Sequence, residues 1–184
     1  METIAFAEAR RIAVLADCHV HPGAGPNWDA ATLDALAGAD LIVTLGDMGE
    51  SRGLDPLAAI APVIGVHGAD DEDDPRTAPA ARKLRLGGVL VGCVFDPKRV
   101  ALADRSDPFT PSVTWPARAA DVFGEPIQML LYASTHRPHI AEIEGVRVVN
   151  PGSALLPADG SKPSIAILKI EDGKLTARIV EIAR

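Results

Sequence analysis

The sequence predicts an α/β protein whose chemistry gathers at the carboxyl ends of parallel strands, and three observations carry that expectation. Apolar runs of strand length stop at acids, as residues 12–16 do at Asp17 and 39–45 do at Gly46-Asp47. Segments with helical spacing lie between those runs, and later runs are separated by Gly-Gly and Asp-Gly turns. Strands covered on both faces read as continuous apolar stretches rather than alternating ones. In an open α/β sheet, ligands collect in the crevice beyond the strand ends. Asp17 and His19 therefore form a candidate carboxylate–imidazole pair for a metal ion. The D-x-H triplet alone also fits a capped loop whose side chains satisfy one another.

The elements follow in order. Residues 12–16 form the first buried strand, and the loop 21–26, rich in Pro and Gly, leads to Asn27 as the cap of a helix through Leu33 and Leu36. Residues 39–45 repeat the strand pattern, 54–61 read as a short helix, and 63–66 form a third strand that ends at His67-Gly68. Strand, helix, strand, helix, strand is a right-handed crossover layout. The acid run from Asp70 to Asp74 reads as a solvated face, because consecutive acids alternate direction along an extended chain. Residues 84–95 read as a hairpin turning at Gly87-Gly88. Residues 96–126, rich in Pro and Asp, hold helical patches at 100–103 and 117–123. A further buried strand, 127–133, ends in Ser134-Thr135-His136-Arg137-Pro138-His139, and 146–149 closes in the turn Asn150-Pro151-Gly152-Ser153. The chain finishes with a hairpin of 164–170 and 175–182 about Asp172-Gly173.

Composition narrows the function. A chain of 184 residues fits one domain spanning 1–184, long enough to bury a sizeable core. At 47% hydrophobic and 23% charged it is an ordinary globular composition, with aromatics at only 4%, so Ala, Val, Ile and Leu must build the core. A formal net charge of -7 with no basic stripe argues against a nucleic-acid partner. No stretch approaches the ~18 consecutive apolar residues of a membrane span. The first eleven residues lack the apolar run and cleavage site of a signal peptide, and Cys18 and Cys93 form no disulfide framework, so a cytoplasmic location is expected. Cys18 reads as a small buried residue.

Taken in order, D-x-H, G-D, a Gly-containing acid loop, T-H-R-P-H and N-P-G-S resemble the calcineurin-like metallophosphoesterases, nearest to their small bacterial and archaeal phosphodiesterase branch, which includes the small retromer subunit. The resemblance spans nearly the whole chain and is weakest over 96–126. It implies a four-layer α/β/β/α sandwich with two metals at the strand ends. By that resemblance the first metal site matches Asp17, His19, Asp47 as the bridging acid, and His136. All four donors are present, a set suited to one divalent ion, Mn, Fe or Zn. Without a cation, the same four residues would form a hydrogen-bonded cluster at the cost of two buried carboxylates.

The second site departs from the family. Its asparagine position falls on Ala69, its strand-end His-Gly on Phe95-Asp96 or else near Cys93, and the first histidine of its G-H-T-H on Ser134. A methyl, a phenyl ring and a hydroxyl replace an amide and two imidazoles. Asp70, Asp96, His67 and Cys93 are the neighbours from which that site could be rebuilt. Asp47, His136 and Asp70 are the residues expected to carry catalysis. Asp70 stands where better-known relatives carry a general-acid histidine, a role requiring a raised pKa. His21 and His139 read as loop or supporting residues. Two functions follow: a phosphoesterase of one-ion type acting on a small phosphate ester, or a non-catalytic module on the same fold that binds a protein partner.

Overall fold

The computed structural model describes residues 1–23, 27–100, 102 and 114–183. Two sheets pack face to face. One has five strands in the order β11-β10-β2-β3-β4, and the other has six in the order β1-β5-β6-β7-β9-β8. In chain order the strands are β1 (Thr3–Phe6), β2 (Arg11–Leu15), β3 (Leu41–Thr44), β4 (Val63–Gly65), β5 (Ala81–Leu86) and β6 (Val89–Val94). They continue with β7 (Met129–Leu131), β8 (Pro138–Ile143), β9 (Val146–Pro151), β10 (Ser164–Glu171) and β11 (Lys174–Glu181). Helices α1 (Ala30–Leu36) and α2 (Asp55–Ala58) join strands of the first sheet, and α3 (Trp115–Phe123) belongs to the second.

The four layers follow from the two-residue period of the strands. Ile12 and Val14 of β2 face inward onto Leu84, Val91, Leu131 and Val149 of the other sheet. Ala13 and Leu15 face outward onto Leu36 of α1 and Leu57 of α2. On the far side, Leu90, Val94 and Leu130 cover Ala119 and Phe123 of α3. Because β2 and β3 are apolar on both faces, they read as unbroken runs. Gly92 completes the outer layer: a Cβ there would run into the Phe123 ring.

Parallel pairing aims the functional loops at one edge. β2 pairs with β3 from Ile12↔Leu41 to Leu15↔Thr44, and β3 with β4 from Ile42↔Val63 to Thr44↔Gly65. β6, β7 and β9 are likewise parallel neighbours. The loops after 15, 44, 65, 94, 131 and 151 therefore emerge side by side.

Several expectations are corrected. The cap of α1 is Asp29, not Asn27: its carboxylate accepts the Thr32 N–H at 2.7 Å. The stretch 54–61 is not one helix. A 3-10 turn at Ser51–Leu54 runs into the single α turn of α2, with Pro56 in that turn. Strand β1, paired in parallel with β5, and edge strand β8, antiparallel to β9, were not anticipated. The turn at 97–100 is described, but residues 101 and 103 of the expected patch at 100–103 lie outside the described residues. Both hairpin turns occur as expected, with positive φ at Gly87 and Gly88 and at Asp172 and Gly173.

The acid run is not uniformly a solvated face. Asp74 is buried and binds Arg76 at 2.6 Å, and Arg76 also donates to Asp55 and to the Ser51 carbonyl, tying this loop to α2. The Arg76 hydrogen bond holds the Asp74 carboxyl below the ordinary carboxylate range. A depressed folded value means stability that is full above the unfolded pKa of about 3.9 and is lost as pH falls through the folded one. Asp74→Ala is expected to cost about 1.5–3 kcal/mol in urea unfolding at pH 7. The gap between variant and parent should persist to pH 5 and shrink below about pH 4.

Candidate metal centre

Asp17 is fully buried at the end of β2, and its carboxylate reaches across to the other sheet. It accepts the N–H of Ser134 and the N–H of His136, each at 3.2 Å. Its backbone carbonyl takes the Ser153 hydroxyl at 2.7 Å. Burial pushes its carboxyl above the usual range, opposed by nearby His136. A carboxylate so placed calls for a compensating positive charge.

His19 and His136 stack with ring centroids 5.4 Å apart and planes at 11°. His136 Nδ1 lies 2.6 Å from the Leu156 carbonyl oxygen, which can only accept, so Nδ1 carries a proton and Nε2 is turned away from that bond. The Leu156 N–H in turn donates to Ser153 at 2.8 Å. His19 Nδ1 lies 2.6 Å from Asp70 Oδ2, while its Nε2 points toward Asp47 Oδ2, 3.8 Å away. Both imidazoles thus have one nitrogen pinned and the other free, the arrangement that orients metal-ligating histidines.

Asp47 lies beside His19. Its Oδ1 accepts the N–H groups of Ala69 and Asp70, the latter at 2.8 Å, leaving Oδ2 on the His19 side. Seven non-glycine residues among those described have positive φ, and five of them are Asp17, His19, Asp47, Ser134 and His136. Such backbone is held only where surrounding structure overdetermines it, and it concentrates at functional sites.

Asp71 supplies much of that surrounding structure. Its carboxylate accepts four backbone N–H groups: Met48 at 2.6 Å, Gly68 at 2.7 Å, Gly49 at 3.0 Å and Asp47 at 3.1 Å. It locks the loop after β3 to the loop after β4. Gly68 permits the approach, since a Cβ there would strike the Asp47 backbone and carboxylate. Sequence reasoning missed Asp71, whose partners are all main-chain groups, and Ser153, which links Asp17 to Leu156. The His21 Nε2 lies 2.9 Å from the same Asp70 oxygen that holds His19. One ligand atom each of His19, His21 and Asp70 lie within 4.8 Å of one another.

The remaining candidates separate. The hydrogen bond from His19, with a second from His21, holds the Asp70 carboxyl below its ordinary range, the opposite of what a general acid needs. His67 turns its Nδ1 to the Gly68 carbonyl, and His139, on β8, meets the Tyr132 hydroxyl at 2.8 Å. Cys93 is sealed between the sheets and Cys18 behind the site, and burial pushes each thiol up to about 12, which removes both as ready ligands. Ala69, Phe95, Asp96 and Ser134 line one cavity of about 480 Å³ with Asp47. Ala69, Phe95 and Ser134 are therefore neighbours in space, together with the carboxylates of Asp47 and Asp96.

The donor types of Asp17, His19, Asp47 and His136 suit a borderline divalent cation, but no three of these residues bring ligand atoms within 4.8 Å of one another, which among the described residues only His19, His21 and Asp70 do. Among the described residues no helix is long and apolar enough to cross a membrane.

Comparison with known proteins agrees with this fold. A protein described as "Probable metallophosphoesterase" from Methanothermobacter thermautotrophicus is 29% identical over 169 residues, covering 92% of this chain and 91% of the relative. The zinc complex of Vps29 from Entamoeba histolytica superposes with a TM-score of 0.64 at 20% identity, over 94% of this chain and 99% of that one. An archaeal phosphodiesterase superposes with a TM-score of 0.63 at 13% identity, over 92% and 99%. The sequence model of the calcineurin-like phosphoesterase superfamily domain matches residues 11–173, and with it the chain belongs to that superfamily.

Proposed function

We propose that this protein is a phosphoesterase of one-ion type, with Asp17, His19, Asp47 and His136 as the ligands of a single Mn, Fe or Zn ion. The observation that carries the reading is the stacked pair of pinned imidazoles, with Asp47 beside His19 and Asp17 bound to the His136 main chain. Zinc is the ion named for the Vps29 complex, and phosphodiester hydrolysis is the activity named for the archaeal neighbour. A bound divalent ion supplies Lewis acidity and an acidified water. The chain's own residues do the rest. Asp70 fixes the tautomer of His19 and positions His21, the Leu156 carbonyl fixes that of His136, and Asp71 holds the Asp47 loop. A small phosphate ester enters through the cavity beside Asp47. The single-domain extent 1–184 and a cytoplasmic location accompany this reading.

Ala69, Phe95 and Ser134 favour the second reading, a non-catalytic module, because they bring no donor to the cavity where the family places its second ion. Metal analysis separates the two. Manganese at one hundred times its Kd should raise stability by about 2.7 kcal/mol, a Tm shift of roughly 5–10 °C for a chain of this size. One equivalent of metal with manganese-dependent cleavage of bis(p-nitrophenyl) phosphate supports the enzyme. Two equivalents overturn the one-ion assignment. No shift and no cleavage leave the module.

A further inference from the structure

The cavity beside Asp47 carries the Asp47 and Asp96 carboxylates but no imidazole, and it also carries positive charge. Lys98 and Arg99 line it together with Asp47, Ala69, Phe95 and Ser134. They sit on a turn that directly follows Phe95, built by Asp96: its carboxylate accepts the Lys98 N–H at 2.9 Å and its carbonyl the Arg99 N–H at 3.0 Å. The Arg99 guanidinium carbon stands 5.4 Å from the centre of the Phe95 ring, a cation–π arrangement. The ring is itself fixed, 6% exposed and packed on the glycine before Asp47, where a Cβ would come within 2.8 Å of its edge. Among the described residues neither the guanidinium nor the Lys98 ammonium forms a hydrogen bond or an ion pair.

A chain of net charge -7 has placed two cations, unpaired among the described residues, in the pocket that adjoins its acidic centre. A phosphoryl group brings charge that one divalent ion only partly offsets, and a two-ion site clamps it from both sides. A guanidinium presents a planar fork that matches two phosphate oxygens, and stacking on an aromatic face pre-orients it without spending its N–H donors. We propose that Arg99, seated on Phe95 and helped by Lys98, takes the place of the second ion and binds the phosphate group of the substrate. This rests on the one-ion reading above, yet its test separates the two.

The test measures the Kd of inorganic phosphate by calorimetry, with and without manganese, for the parent, Arg99→Ala, Arg99→Lys and Phe95→Leu. Metal content is measured in parallel. Arg99→Ala should weaken phosphate binding at least tenfold in both metal states while leaving metal content unchanged. Arg99→Lys, which keeps the charge and loses the fork, should recover part of that loss, and Phe95→Leu should weaken binding several-fold with Arg99 intact. Absence of manganese from the parent would remove the one-ion reading but still leave the Arg99 dependence to be read in the metal-free protein. Phosphate binding equal in parent and Arg99→Ala, or no phosphate binding by the parent, overturns the proposal.

Discussion

Asp71→Ala should cost this protein both its stability and its metal, although Asp71 is not among the four candidate ligands. The substitution strands four backbone N–H groups, those of Asp47, Met48, Gly49 and Gly68, in partly buried surroundings. Each loses a bond to a charged acceptor, and water replaces only some of them. A destabilisation of about 3–5 kcal/mol is expected in urea unfolding, with Cm lowered and the slope unchanged. The loop that aims Asp47 loosens with it, so manganese affinity should fall by roughly 100-fold, the upper end for residues that support metal ligands. Asp73, fully exposed and 3.7 Å from His67, is the internal control. Asp73→Ala should match the parent in both measurements, and equal behaviour of the two variants would remove the clamp from the account.

Asp47→Asn should show the opposite signature, a sound fold that has lost its chemistry. The amide oxygen can still accept the N–H groups of Ala69 and Asp70. The oxygen on the His19 side becomes an NH₂, and a donor there repels a cation rather than binding it. Asp47 also raises the Asp17 carboxyl through like charge, so its neutralisation eases the metal-free protein. The Tm without metal should therefore hold or rise slightly, while the manganese-induced shift disappears. Turnover should fall by about 100-fold or more, some ~3 kcal/mol of lost transition-state stabilisation. An Asp47→Asn variant that still cleaves phosphodiesters at the parental rate would end the role assigned to this acid.

The contrast between these two acids marks where sequence reasoning succeeds. Asp17, His19, Asp47 and His136 follow apolar runs that can only be strands covered on both sides, so their arrival at one edge was legible from order alone. The four-layer architecture was legible for the same reason, once the order of motifs matched the family. Asp71 was not, because its partners are main-chain amides that any residue provides. Asp70 invited a catalytic role by position, but two imidazoles already share its oxygen. Strand β8 escaped notice because its side chains follow no two-residue period, with Ile140 and Ile143 left 38% and 39% exposed. Asn27 lost the cap of α1 to Asp29 through a choice between two good capping residues that composition does not rank.

The bond between Asp17 and the main chain of His136 spans 119 positions and joins one sheet to the other. A growing chain that has left the ribosome only as far as β6 carries three of the four donors, yet the buried acid among them still has no second sheet to reach. On the proposed one-ion reading, capture of the cation would follow completed assembly rather than template it.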